Sequence, residues 1–419
     1  MPDLEFHEIQ HLLSVPADSI PGQVSRRRFL WGAMASAGAM SALPSILDPQ
    51  AAAAGPAGPT DTILVVLQLG GGNDGLNTVV PSADSRYRAL RGPLALTAPL
   101  MIDAKTGVHP ALPKLKARYD AGRVAVVQGV GQPGDDHSHF SSTATWMRGT
   151  AGDDHSTGWL GRWLDGVPDS AAGLRAVTLG ASVPLHLLGR RAVVTALDTD
   201  TYPFGADRSH AGPRAIYDTV TAFGHAPTGK GALADDLARA GATSIGLAGD
   251  LNTEFSPRLP DATLASQLTL AARLVNADLG VRVFNATLGS FDTHYGELDR
   301  HEALLKELDA GIEALYQSLD ARWADRVTIL TFSEFGRRVA ANASGGTDHG
   351  AGSSLFVVGN KVKGGLYGQA PDLGRLTERG DVAVSVDFRS AYASVLGPWL
   401  GGDAGEILGQ DFEDLHLFK

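Results

Sequence analysis

The chain has 419 residues, no cysteine, 51 glycines, 22 prolines and a formal net charge of −11. The absence of cysteine excludes disulfides, thiolate catalysis, and zinc or iron–sulfur centres held by thiolates. An acidic chain without basic runs argues against nucleic acid as a partner, because phosphate backbones are held by clustered Lys and Arg.

Ser25-Arg26-Arg27-Arg28-Phe29-Leu30 form a twin-arginine pattern, followed by an apolar, small-residue run from Trp31 to Leu47 and then by Ala52-Ala53-Ala54. Charged region, short apolar region and small-residue exit predict a signal peptide over 1–54. The partner this implies is the twin-arginine export machinery, and the destination periplasmic or extracellular. The apolar run is broken by Gly32, Gly38 and Pro44 and is shorter than the roughly 20 residues of a membrane-spanning helix. No later stretch is long and apolar enough to span, so no membrane span is expected in the mature protein. A Gly/Pro linker at 55–60 leads into the working part of the chain.

Thr62 to Leu69 is an almost continuous apolar β-run, the pattern of a strand buried on both faces of a parallel sheet. It stops at Gly70-Gly71-Gly72-Asn73-Asp74-Gly75, a turn-forming group. Leu112, Leu115 and Tyr119 recur at helical spacing, and Arg123 to Gln128 is the next strand. Further strands are predicted at Ala176–Leu179, Ala192–Thr195, Val281–Leu288, Val327–Phe332 and Ser354–Val358, with helices at Asp261–Ala277 and Leu298–Trp323. Strands alternating with helices predict a three-layer α/β/α fold with a largely parallel sheet. We expect one domain over 61–419, with the strand-poor, Ala/Gly/Asp-rich stretch 198–252 as a helical insertion.

In such folds ligands bind beyond the carboxyl ends of the strands, and the unusual polar residues collect there. After the first strand comes Asp74, and after the second Asp135-Asp136-His137-Ser138-His139-Phe140-Ser141. Asp292-Thr293-His294 follow the Val281 strand, and Ser333-Glu334 follow the Val327 strand. Asp348-His349 precede the Ser354 strand. Carboxylates and imidazoles converging from separate strand ends make a site for a divalent metal, with zinc, manganese and calcium as candidates. Each member also has a plainer reading. Asp74 can be a helix N-cap, Asp292 and His294 a turn with a solvated histidine, and Glu334 a helix-start ion pair with Arg337 or Arg338. Gly129-Val130-Gly131-Gln132-Pro133-Gly134 fits a dinucleotide fingerprint, but Pro133, Asp135 and Asp136 put rigidity and negative charge where a pyrophosphate would sit. Gly72-Asn73-Asp74 is similar to a block of small serine esterases, yet their Gly-Asp-Ser nucleophile motif is missing after the first strand.

Leu69–Pro81, Gly129–Gly149, Phe291–His294 and Phe332–His349 together resemble the alkaline phosphatase and sulfatase superfamily. Within it they are similar to an exported bacterial family of unknown function with twin-arginine leaders. The resemblance implies an alkaline phosphatase-like fold and a metal-dependent hydrolase of phosphate or sulfate esters, acting on a small-molecule or glycan ester. It implies Asp74, Asp292, His294, Glu334 and His349 around the metal, to which the strand-end reading adds Asp348 beside His349. The nucleophile would be Ser138, with Ser141 as the second choice and His139 beside it. Glu334-Phe335 stands where the superfamily often has Asp-His, and the Asp292 to His294 step is shorter than usual. The histidines flanking Ser138 replace the Cys-x-Pro-x-Arg of formylglycine sulfatases. The alternative is a non-catalytic exported binding protein that retains the fold.

Overall fold

A strand that is apolar on both faces needs cover on both faces, and β1 (Ile63–Leu69) is buried at every position. In the computed structural model of the protein it lies inside a nine-stranded sheet. The other strands are β2 (Val124–Gly131), β3 (Ala176–Leu179), β4 (Val194–Leu197), β5 (Val283–Leu288), β6 (Val327–Phe332), β7 (Ser353–Val358), β8 (Gly365–Gly368) and β9 (Val386–Asp387). The order is β8-β2-β7-β6-β1-β5-β3-β4, with β9 also on β2. The described residues are 61–150, 156–167, 175–197 without 193, pairs of residues between 214 and 222, and 263–419. The expected signal peptide, the linker and, apart from those pairs, the 198–252 insertion lie outside them.

β1 pairs in parallel with β5 and β6, and β3 in parallel with β4 and β5. β8 and β9 run parallel to β2. Among these strands only β7 is reversed, antiparallel to β2 and β6.

The helices that matter below are α1 (Gly75–Thr78), α2 (Ser85–Arg91), α3 (Pro113–Asp120), α4 (His139–Arg148), α5 (Trp159–Asp165), α6 (Leu264–Asn276), α7 (Glu297–Ser318) and α8 (Phe388–Leu396). Leu64 and Val66 pack in one core with Trp146 of α4, Trp159 of α5 and Tyr392 of α8. There Trp146 stacks on Phe388 at 4.3 Å and Trp159 on Tyr392 at 4.2 Å. Because side chains alternate along a strand, Ile63, Val65 and Leu67 face the other layer, and they too are buried. The α6–α7 pair, with α3 against α7, buries Leu268, Leu305, Leu308 and Ile312. Each fully buried side chain of this kind contributes about 1.5–3 kcal/mol relative to exposure. The result is a three-layer α/β/α fold with a largely parallel central sheet.

The helix expected at 261–277 runs Leu264–Asn276, with Thr263 accepting from the Ser266 amide as its N-cap. The long helix ends at Ser318, and Ala321–Trp323 forms a separate 3-10 turn. Reversal of β7 has a direct consequence for the site. Its amino end, not its carboxyl end, lies on the edge where β1, β2, β5 and β6 finish, so the loop carrying His349 precedes its strand.

Candidate metal centre

Four strand ends meet here. His139 opens α4 just beyond β2, Asp292 and His294 follow β5, Glu334 follows β6, and His349 precedes β7. His139, Asp292 and His349 each offer one ligand atom, and the three atoms lie within 4.8 Å of one another. Asp292 Oδ1 is the hub, 3.2 Å from His349 Nε2, 3.0 Å from His294 Nε2 and 3.6 Å from His139 Nε2. The His294 and His349 Nε2 atoms are themselves 3.0 Å apart.

Outer partners decide which way these rings face. His349 Nδ1 lies 2.9 Å from the backbone carbonyl of His137. A carbonyl only accepts, so Nδ1 carries the hydrogen, and a neutral ring then presents the Nε2 lone pair inward. His139 Nδ1 lies 2.9 Å from Glu334 Oε1, and His294 Nδ1 is 3.4 Å from Asp348 Oδ1. Glu334 is fixed in turn, accepting from the Gly71 amide at 2.9 Å and from the Ser333 hydroxyl at 3.3 Å. Imidazoles whose far nitrogen is held by a carboxylate or carbonyl are the usual surroundings of a bound metal.

His139 Nε2 is buried and has no hydrogen-bond partner, although it points at Asp292. A lone pair facing a carboxylate oxygen is an acceptor facing an acceptor, which a cation between them resolves. Nitrogen and oxygen donors of this kind suit zinc or manganese.

The floor of the site is rigid. The Phe335 ring lies 4.8 Å from the His139 ring and 4.6 Å from the His349 ring. A Cβ on Gly72 would come within 2.4 Å of Phe335, and its φ of +75° is the left-handed region open to glycine. Arg337 is buried, donating to the Asp292 carboxylate at 2.6 Å and to the carbonyls of Gly71, Gly72, Phe291 and Thr347. Partial burial pushes the Asp292 pKa up, but the Arg337 hydrogen bond and charge, then His294 and His349, prevail and hold it at about 2. Burial lowers the pKa of His349 against the opposing pull of the His137 carbonyl. A carboxylate kept ionised beside an imidazole kept neutral is what cation ligation requires.

The sequence expectations divide. Asp292, His294, Glu334, Asp348 and His349 are brought together, with Glu334 and Asp348 behind histidines. His139, expected beside a nucleophile, also offers a ligand atom. Asp74 is corrected: it is not among these groups. Its side chain caps α1 by accepting from the Leu76 amide and pairs with Arg91, both side chains being fully buried. The physical reason is that Arg91, projecting from α2, neutralises it inside the protein. Ser138 is the N-cap residue of α4, and its side chain makes no capping bond. The Ser141 hydroxyl donates to both oxygens of Asp136 at 2.7 Å. Glu334 does not start a helix, and the partner of Arg337 is Asp292. The sequence reading missed Arg337 and Phe335, which are buried, and the His137 carbonyl, a backbone atom without a sequence signature.

A family model described as "Protein of unknown function (DUF1501)" matches residues 61–397. No curated protein matches the chain. Among solved structures, it is similar to the soluble domain of lipooligosaccharide phosphoethanolamine transferase A from Neisseria meningitidis, at 14% identity and TM-score 0.39, covering 88% of this chain and 96% of that one. A protein in the alkaline phosphatase superfamily from Vibrio parahaemolyticus aligns at 8% identity and TM-score 0.33, covering 82% and 71%. The PsFucS1 sulfatase from Pseudoalteromonas sp. aligns at 11% identity and TM-score 0.34, covering 96% and 80%. These likenesses are distant, and the site stands on its own residues.

Proposed function

The chain belongs to the DUF1501 family, and from its strand-end site we propose that it is an exported, metal-dependent hydrolase of phosphate or sulfate esters. The observation that carries the reading is the inward-facing, partnerless Nε2 of His139, grouped with Asp292 and His349. His139, Asp292 and His349 would hold a divalent cation, with His294 next to them. When bound, the cation supplies a Lewis acid that neutralises charge developing on the transferred group.

The protein's own residues do the rest. Glu334 and the His137 carbonyl aim two imidazoles, and Arg337 keeps Asp292 ionised and in place. Ser138 is the nucleophile in this reading, since it stands at the start of α4 beside His139 with its hydroxyl free of a capping bond. The substrate class is a small-molecule or glycan ester.

Export rests on Ser25 to Leu30 and the apolar run behind it. Arg26→Lys with Arg27→Lys should leave the precursor unprocessed inside the cell, and normal export of that variant would remove the claim.

The deciding experiment is metal content by plasma mass spectrometry on protein purified without chelator, followed by an ester screen. We expect about one equivalent of zinc or manganese, lost in His349→Ala together with hydrolysis. Failure to take up metal after reconstitution would sink the mechanism. Metal without turnover on a broad ester panel would leave a binding protein.

A further inference from the structure

Left-handed backbone is unfavourable for any residue with a Cβ, because the Cβ crowds the following carbonyl oxygen. Among the described residues, those that adopt it without being glycine are His137, Asp278, Ser290 and His416. Two of these four stand two positions before a group of the histidine centre, His137 before His139 and Ser290 before Asp292. His137 has a φ of +61° and carries the carbonyl that lies 2.9 Å from His349 Nδ1.

The surrounding bonds hold that turn. The His137 amide donates to Asp135 Oδ1 at 3.2 Å, and the Ser138 amide to Asp136 Oδ1 at 2.9 Å. Asp135 and Asp136 are themselves held by the hydroxyls of Ser142 and Ser141 from α4. The His137 side chain is buried. Its ring centroid is 6.3 Å from that of Phe335, and its Nε2 lies 3.8 Å from Asp381 Oδ2. Next to Asp381, the Val382 carbonyl accepts from the Gly352 amide just before β7. The ring therefore packs against residues that follow β6 and border β7, the same elements that carry Glu334 and His349.

A carbonyl has no side chain to replace, and its aim is set by the φ and ψ of its own residue. Backbone strain kept beside a functional group points to a use for it. We propose that His137 is a positioning residue for His349. Its left-handed backbone, not its ring chemistry, points the carbonyl that keeps Nδ1 of His349 protonated and Nε2 turned inward; the consequence for affinity rests on the metal reading of the centre. Burial of the ring offsets the cost of the backbone. Asparagine and alanine remove that ring alike, but asparagine enters the left-handed region far more readily than alanine, and β-branched valine resists it most.

The test is zinc affinity of the mature protein, measured by competition with a chelating dye. We expect His137→Asn to bind close to wild type, and His137→Ala and His137→Val about 10- to 100-fold more weakly. Should the valine protein fail to fold, the asparagine and alanine pair carries the comparison. A second readout needs no metal: spectra of protein labelled with 15N-histidine, in which His349→Gln identifies the His349 signals. Wild type and His137→Asn should show His349 protonated on Nδ1, and His137→Ala a mixture of Nδ1 and Nε2 forms. Equal weakening by asparagine and alanine would assign the effect to the lost ring and overturn the proposal. Wild-type affinity in the alanine and valine variants, or a wild-type His349 protonated on Nε2, would overturn it as well. A wild type that takes up no zinc after reconstitution would overturn the metal reading, and the ring spectra would still judge His137.

Discussion

The same three loops build two charged clusters that differ in their access to water. After β1, Gly71 and Gly72 serve the histidine centre through Glu334 and Arg337, while Asp74, a few residues on, enters a sealed cluster with Arg91, Glu297 and His301. After β5, Asp292 and His294 face the solvent, and Glu297 closes inward at the start of α7. Before β7, His349 belongs to the open group, whereas the Thr347 hydroxyl donates to Glu297 at 2.6 Å inside the sealed one. In the open cluster the rings are oriented from outside and their inner nitrogens are left for a cation. In the sealed cluster the cation is already present as the Arg91 guanidinium, bonded to Asp74 and 3.7 Å from Glu297.

Two carboxylates against one guanidinium leave the sealed cluster a charge short, and a proton makes up the difference. Burial and the Asp74 carboxylate push the Glu297 pKa up to about 8. For Asp74 burial acts upward, but Arg91 and Glu297 prevail and its pKa is lowered. Burial also holds His301 neutral, at about 3. One cluster therefore presents its groups to the solvent, and the other ties the same loops together around a buried ion pair.

The largest expected effect comes from breaking the sealed cluster. Arg91→Met leaves a buried carboxylate unpaired and should cost about 3–5 kcal/mol, read as a lower denaturant midpoint or a failure to fold. His349→Ala, which leaves the pair of buried Arg337 with Asp292 in the open cluster intact, should abolish metal uptake with a much smaller loss of stability in the metal-free protein. Equal destabilisation by the two would erase the distinction.

Next comes the outer support of the open cluster. Glu334→Ala frees the His139 ring and should weaken metal affinity about 10- to 100-fold, measured by competition with a chelating dye. An unchanged affinity would mean that Glu334 does not aim His139.

The smallest effect is a change of slope with pH. The folded pKa of Glu297 lies above its ordinary 4.5, so the stability it contributes is complete below about pH 4.5 and is lost as pH rises through about 8. Glu297→Gln imitates the protonated form and should flatten that decline in denaturation curves taken between pH 5 and 9. A decline of the same size in the variant would place the proton elsewhere.

Much of this arrangement could be read in the sequence, for identifiable reasons. The buried strands announce themselves as apolar runs, and the loops after them as glycine with acids and imidazoles. β8 and β9 escaped because Gly365–Gly368 and Val386–Asp387 are too short and too mixed to show a period. Asp74 misled because its aspartate, in a glycine-rich turn after a strand, has the local signature of a ligand. Its actual partner, Arg91, lies 17 residues away on another helix. His139 was placed correctly beyond β2, but its grouping with Glu334, Asp292 and His349 depends on residues arriving from later strands, which no local pattern encodes.

The reversed strand also sets the order in which the molecule can be assembled. β2 has as neighbours β7, β8 and β9, all of which lie later in the chain, and β7 is what joins it to β6 and β1. During synthesis β2 and the His139 segment must therefore wait, unpaired in this sheet, until the residues from Ser353 onward have emerged. Non-local pairing of this kind slows folding. The histidine centre, drawing on both sides of the β7 seam, is then among the last parts to form, so a nascent chain stopped before Ser353 would have every one of these side chains and no site.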